Sequence, residues 1–276
     1  NVTLLNNTML DLLEASHTSL QEISAVAVGV PGPIDFDSGK VVIAPNVPFW
    51  EDLPLRTLIE EVFPVPVALD NDVNMAALGE HWKGAARDCP TFFFLALGTG
   101  VGGGVFVNGR LHRGGRCSAG EIGYMVLQPF QRDRRQGDLG WLESVASGLS
   151  LDQNGRKLAR NKNSSLLNQL AGSSERVTSR HVFEAAEKGD QDCQKILEEF
   201  FEYLGIAIFN VVALLDPDII VIGGGIGEQG ERILGPLQER ASGYGLPIPP
   251  LQLSQLKAEA QLYGAIYSAI LTGEGR

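Results

Sequence analysis

Hydrophobic and polar positions divide the chain into segments of alternating kind. Leu4, Leu5, Met9, Leu12 and Leu13 recur at helical spacing near the start, which predicts an amphipathic helix. The apolar run ISAVAVGV at 23–30 predicts a strand, and the turn-rich PGPIDFDSGK separates it from a second strand, KVVIA at 40–44. A helix is predicted around 54–62, a short buried strand over VPVALD at 65–70, and a helix over 73–85 with Met75, Leu78 and Trp82 on one face. FFFLAL at 92–97, VGGGVFV at 101–107 and a strand near Arg110 predict a glycine-linked meander with Asn108-Gly109 as its turn. Residues 150–200 read as helical and polar. IAIFNVVALL at 206–215 then reads as a buried helix, DIIVIGGG at 218–225 as a buried strand with a glycine turn, and 259–271 as a last helix. Strands and helices in this alternation define the α/β class.

Composition narrows the functions open to such a chain. At 276 residues and 29.7 kDa it can form one large domain or two smaller ones around a proper core. A net charge of −11 and a pI near 4.9 argue against a nucleic-acid binder, whose electrostatic footprint would be basic. Cys89, Cys117 and Cys193 are far apart, with no C-x-x-C pair. That fits a reducing cytoplasm and offers neither a disulfide framework nor a zinc cluster. No apolar run approaches the ~20 residues of a membrane span, and the first residues lack the basic and apolar regions of a signal peptide. A cytoplasmic protein without nucleic-acid or membrane partners is expected.

Candidate chemistry is concentrated where local polarity or glycine content exceeds what folding requires. LGTGVGGGVF at 97–106 holds five glycines in ten positions, and glycine inside a strand costs stability. GTGVGG at 98–103 matches G-x-G-x-x-G as a string, yet the sequence after it reads as strand and hairpin, whereas a dinucleotide fold needs a helix there. A β-hairpin whose glycine amides and Thr99 hydroxyl hold phosphate oxygens fits better. In LDNDVNMAALGE at 69–80, Asp70, Asn71, Asp72 and Asn74 cluster where a strand ends and a helix begins. One helix cap needs one such residue; a general base beside sugar-binding amides accounts for the surplus. Glu121 in AGEIGY and Glu143 in WLESVASG are candidate acceptors for ligand hydroxyls.

Taken in order, GVPGPID (29–35), LDNDVNMAALGE, LALGTGVGGGVFVNG, SAGEIGYM, GWLESVASG and DPDIIVIGGGIG resemble the ROK family of repressors, uncharacterised frames and sugar kinases. The resemblance implies the actin-like ATPase fold of hexokinases, with two α/β domains and a cleft between them, here a smaller sugar-binding domain over 1–95 and a larger nucleotide-binding domain over 96–276. It implies ATP-dependent phosphorylation of a hexose or N-acetylhexosamine, with ATP and Mg2+ as cofactors and a homodimer as the assembly. Carried over by matched position, Asp72 is the catalytic base. Asn71, Glu121, Tyr124 and Glu143 bind the sugar, with Gly32 and Asn46 lining the same pocket. Gly98, Thr99, Gly100 and Gly102 form the second phosphate loop, and Gly223, Gly224 and Gly225 the adenosine loop.

Two departures qualify the resemblance. Most family members carry a zinc site made by one histidine and three cysteines; here Tyr124, Arg134, Gln136 and Trp141 stand at those positions. Structural zinc needs four N or S ligands, so no zinc is expected; packing of Trp141 and an ion pair of Arg134 are expected to hold the loop instead. Family kinases also open with a hairpin containing D-x-G-G-T, and nothing like it precedes ISAVAVGVPGP. The expectation is that those strands belong to a part of the protein N-terminal to this sequence. The alternatives to a kinase are the sugar-sensing effector domain of a transcriptional repressor and a catalytically silent sugar or nucleotide binder.

Overall fold

A computed structural model of the chain describes residues 2–42, 48–129, 139–161 and 165–275. Its first part is α1 (Val2–Ala15), β1 (Val26–Val30), a small hairpin of β2 (Ile34–Asp35) and β3 (Lys40–Val41), α2 (Leu55–Glu60), β4 (Val67–Asn71) and α3 (Asp72–Lys83). β1 and β4 pair in parallel, with Gly29 opposite Asp70 and Val30 opposite Asn71. Val30, Val41, Leu55, Ile59 and Leu69 form one core there, onto which Leu5, Met9 and Leu13 of α1 pack. The helix is present and amphipathic, but Leu4 and Leu12, grouped with these residues by spacing, face away from the core and are exposed.

The second part begins with the antiparallel meander β5 (Phe92–Leu97), β6 (Val101–Val107) and β7 (Arg110–Leu111). Helices α4 (Trp141–Ala146), α5 (Gly148–Asn161), α6 (Ser165–Ala171), α7 (Ser179–Glu187) and α8 (Gln191–Leu215) follow, and then β8 (Ile219–Gly223), α9 (Gly224–Gly227), α10 (Glu231–Ser242), β9 (Leu251–Leu253) and α11 (Ala260–Gly273). One sheet in the order β7-β6-β5-β8-β9 results, in which β5, β8 and β9 run parallel. Such buried parallel strands read as continuous apolar runs, as FFFLAL and IIVIG do.

The differences from the sequence reading have local causes. The helix expected over 206–215 begins at Gln191, because the Asp190 side chain accepts the Asp192 and Cys193 N–H groups and starts it fifteen residues earlier. DIIVIGGG does not end in a bare turn: Gly224, at φ +83°, folds the chain tightly past the Leu97 carbonyl, and a helical turn, α9, follows. The strand expected over 40–44 is seen at Lys40–Val41, and its remainder reaches into residues outside those described.

Helix α3 is central to the molecule. It packs on α11, β1, β4, β5 and β6, which explains why Asn74 through Glu80 are all buried. Its C-terminal end is stapled by Glu80, wholly buried, which accepts hydrogen bonds from the Ser254 hydroxyl (2.5 Å), Leu256 N–H (3.0 Å) and Ala85 N–H (2.7 Å). A buried carboxylate is tolerated only when hydrogen-bonded in this way. No helix among the described residues is long and apolar enough to cross a membrane.

Candidate active site

The polar cluster at the end of β4 divides its labour. Asn71 is the N-cap of α3: its Oδ1 accepts Val73 N–H (2.8 Å) and Asn74 N–H (3.3 Å), satisfying donors that a helix start leaves open. Its Nδ2 donates to the Gly32 carbonyl (3.2 Å), which ties the PGP loop to the strand end. Asp70 is buried and accepts Asn71 N–H (2.8 Å) and Asn74 Nδ2 (2.8 Å) on one oxygen and Arg113 Nε (2.7 Å) on the other. Asp72, in the first turn of α3, accepts Val73 N–H (2.9 Å) through Oδ1. The surplus over capping is thus spent on one ion pair, one loop tether and one carboxylate that has no charged partner among the described residues.

Burial pushes the Asp72 carboxyl above its ordinary range, against hydrogen bonds that lower it. Glu121 is raised as well, first by burial and then by repulsion from Glu143 and Asp72, so the three carboxylates share one region of negative potential. Perturbed acids gathered in this way mark functional sites more often than chance. Glu121 stands at the start of a single 3₁₀ turn, Ile122–Tyr124. Glu143, in the first turn of α4, is oriented by Val101 N–H, which donates to its Oε2 (3.0 Å). Tyr124 is half exposed beside them. Asn46 lies outside the described residues.

The glycine-rich stretch has more than one physical reason. A Cβ on Gly100 would come within 2.5 Å of the Glu143 carboxylate, and one on Gly102 within 3.0 Å of the Val73 side chain. Gly103 and Gly104 likewise face Phe93 and Ala77. These positions are small because α3, Glu143 and the neighbouring strand approach them, not because a ligand must. At Gly98 and at Gly225, by contrast, an added Cβ meets nothing within 4 Å. The loop between β5 and β6 is held by Gly148 N–H donating to the Gly98 carbonyl (2.9 Å) and Leu149 N–H to the Thr99 carbonyl (3.1 Å). Gly223 is buried against the Phe94 ring, and Gly224 and Gly225 are exposed at the start of α9. Both glycine loops leave parallel neighbours, β5 and β8, at their C-terminal ends, where α/β sheets present ligands.

Of the four positions where the family carries zinc ligands, two can be followed. Tyr124 closes the 3₁₀ turn, and Trp141 is buried edge-to-face against Tyr203 with ring centroids 5.1 Å apart. Arg134 and Gln136 lie outside the described residues, so the expected Arg134 ion pair does too. Among the described residues no group of three His, Cys, Asp or Glu could hold a metal.

Arg113 is the site residue that sequence reasoning missed. It pairs with Asp70, its guanidinium lies 4.5 Å from the centroid of the Phe36 ring, and it lines a pocket of about 370 Å3 with Ile34, Phe36, Gly114 and Cys117. A lone arginine in a loop has no periodicity to betray it.

This architecture, with glycine loops at the sheet ends and an acid at the head of a central helix, is that of the actin-like ATPases. A sequence model of the ROK family matches residues 2–270, and the chain belongs to that family. It is 35% identical over 251 residues to a glucokinase from Thermotoga maritima, covering 89% of this chain and 79% of that one. To a xylose repressor from Caldicellulosiruptor bescii it is 32% identical over 274 residues, 95% of this chain and 67% of that one. Among solved structures, a ROK family glucokinase from Streptomyces griseus, in complex with glucose and AMPPNP, is similar with a TM-score of 0.81 at 28% identity, over 96% of this chain and 87% of that one.

Proposed function

We propose that this chain is the catalytic part of a glucokinase-like sugar kinase, which uses ATP to phosphorylate a hydroxyl of a hexose or N-acetylhexosamine. The observation that carries the reading is Asp72: a half-buried carboxylate at the head of α3, raised by burial and without a cationic partner among the described residues. A base in that state is poised to take a proton. The glucokinase relatives support the reaction class, and the glucose and AMPPNP of the solved relative support a sugar and an adenine nucleotide as ligands.

In this reading Asn71, Glu121, Tyr124 and Glu143 hold sugar hydroxyls, with Gly32 and Asn46 beside them. The attacking hydroxyl oxygen forms a bond to the γ-phosphorus as the bond to the bridging oxygen of ADP breaks, and its proton passes to Asp72. The chain's contribution is positioning and charge placement. Gly98, Thr99, Gly100 and Gly102 supply backbone to the phosphates and Gly223, Gly224 and Gly225 to the adenosine; residues 1–95 form the smaller sugar-binding domain, and 96–276 the larger domain that carries the nucleotide loops and lends Glu121, Tyr124 and Glu143 to the sugar. Magnesium, when bound, neutralises phosphate charge. No three-ligand cluster stands among the described residues, and this ion is usually bound through one or two carboxylates, substrate phosphates and water.

The test is ADP formation by the full-length protein with magnesium ATP and glucose, mannose, fructose, N-acetylglucosamine or N-acetylmannosamine. Turnover with at least one sugar is expected. Sugar-induced stabilisation without any turnover would instead support the effector domain of a repressor, the reading that the xylose repressor relative favours. Gly98→Ala and Gly225→Ala sharpen the nucleotide assignment. With open space at both positions, neither change should lower the melting temperature. Each should raise the KM for ATP, by about threefold or more, with the KM for sugar unchanged. An unchanged KM for ATP in both variants would remove these loops from the phosphate site.

A further inference from the structure

The site's two halves are joined by a contact that the proposed chemistry does not itself use. Asn71 and Asp72 stand at the end of β4, whereas Glu121 sits on the loop after β7, at the edge of the other sheet. That loop is closed on itself, because Ala119 N–H donates back to the Arg113 carbonyl (3.0 Å). Glu121 is two residues beyond Ala119, so one short closed loop carries both Arg113 and Glu121. The Arg113 side chain then crosses to Asp70 (2.7 Å), and the other Asp70 oxygen accepts the backbone N–H of Asn71 and the side chain of Asn74. A continuous path of hydrogen bonds thus runs from the Glu121 loop to the head of α3. Phe36 on the β2–β3 hairpin covers the guanidinium at 4.5 Å, and the Asp70 side chain is only 6% exposed.

We infer that Asp70 and Arg113 form a positioning pair, which fixes the distance between Glu121 and the Asn71-Asp72 end of β4 and thereby sets affinity for the sugar. The inference rests on the sugar-site reading above, but not on turnover. Charge-assisted, partly desolvated bonds have the directionality for this task. A rigid link is also what the repulsion among Glu121, Glu143 and Asp72 requires, because like charges held near one another push their loops apart. The nucleotide loops lie outside the path, so the pair should act on one substrate and not the other.

The experiment measures sugar affinity by calorimetry, KM for ATP, and melting temperature in the full-length protein. Three variants are compared: Arg113→Met, Arg113→Lys and the double variant Asp70→Asn/Arg113→Met. Arg113→Met leaves a buried carboxylate without its partner and should lower the melting temperature as well as binding. The double variant removes both charges, while the amide oxygen introduced by Asp70→Asn can still accept from Asn71 and Asn74, so stability should recover. Its sugar affinity should stay about tenfold weaker than that of the unaltered protein, with KM for ATP within about twofold. Arg113→Lys, which can remake a single-point ion pair, should restore most of the affinity. A double variant that recovers both stability and sugar affinity would overturn the inference, as would equal weakening of sugar and ATP. If the unaltered protein binds a sugar without turning it over, the kinase reading fails while the pair is still tested; if it binds no sugar, both fail.

Discussion

Asp72→Asn should lower sugar-dependent ADP formation by about two orders of magnitude or more, the usual contribution of a positioned general base, while sugar affinity remains near that of the unaltered protein. Asparagine keeps the shape and can still accept the Val73 N–H; what it loses is the capacity to take a proton. Two pH effects accompany the change. Because burial raises the Asp72 carboxyl, the acid limb of kcat/KM should have its midpoint above the ordinary aspartate range, and activity should rise as pH climbs through it. The linkage to stability has the opposite sign. A carboxyl whose folded pKa exceeds its unfolded value favours the folded state most when protonated, and that advantage is lost as pH rises through the folded value. Asp72→Asn should therefore melt at or above the temperature of the unaltered protein at neutral pH, and the difference should vanish below about pH 4. Turnover in the asparagine variant equal to the original would remove Asp72 from the reaction.

Features that depend on neighbours in sequence were legible before the structure. The excess of cap-forming residues at 70–74 showed because helix capping sets a local requirement, and four residues exceeded it. Period and apolar run length were enough to place β5, β6, α3 and α11. The glycines look alike in sequence but serve several ends: Gly100 faces Glu143, 43 positions away, and Gly102 faces α3, while Gly98 faces open space. Nothing local separates these cases. Arg113 was invisible for the same reason, since its meaning comes from Asp70 across the fold. Glu80 ends the run LGE like any surface glutamate, and it is the segment after β9, with Ser254 and Leu256, that makes it a buried staple. Sequence pattern reports what a residue does for its own element; these residues act between elements.

The largest effect on stability is expected from Gly264→Ala in α11. A Cβ there would sit 1.6 Å from the Met75 carbonyl oxygen, and one on Gly79 would sit 2.2 Å from the Ala260 carbonyl oxygen. Each helix of the α3–α11 pair thus presents a glycine to the other's backbone. Because the obstructing atoms are main chain, no rotamer change relieves the clash, and the helices must move apart. Overpacking of a close-packed core costs about 1–3 kcal/mol when side chains can yield, and more when they cannot. About 3 kcal/mol or more is expected here, a fall in melting temperature of roughly 6–12 °C for a chain of this size. Gly225→Ala in α9 is the control, since an added Cβ there meets nothing within 4 Å and alanine is the better helix former; its stability should be unchanged or higher. The clash also has a functional direction. Met75 lies one turn from Asp72, and Glu80 anchors the far end of α3 to the turn before α11. Displacing α11 therefore tilts the helix that carries the base, and whatever Gly264→Ala protein remains folded should turn over more slowly at saturating sugar and ATP. A melting temperature within about 2 °C of the original would show that the pair has slack and that α3 is held in place by the sheets instead.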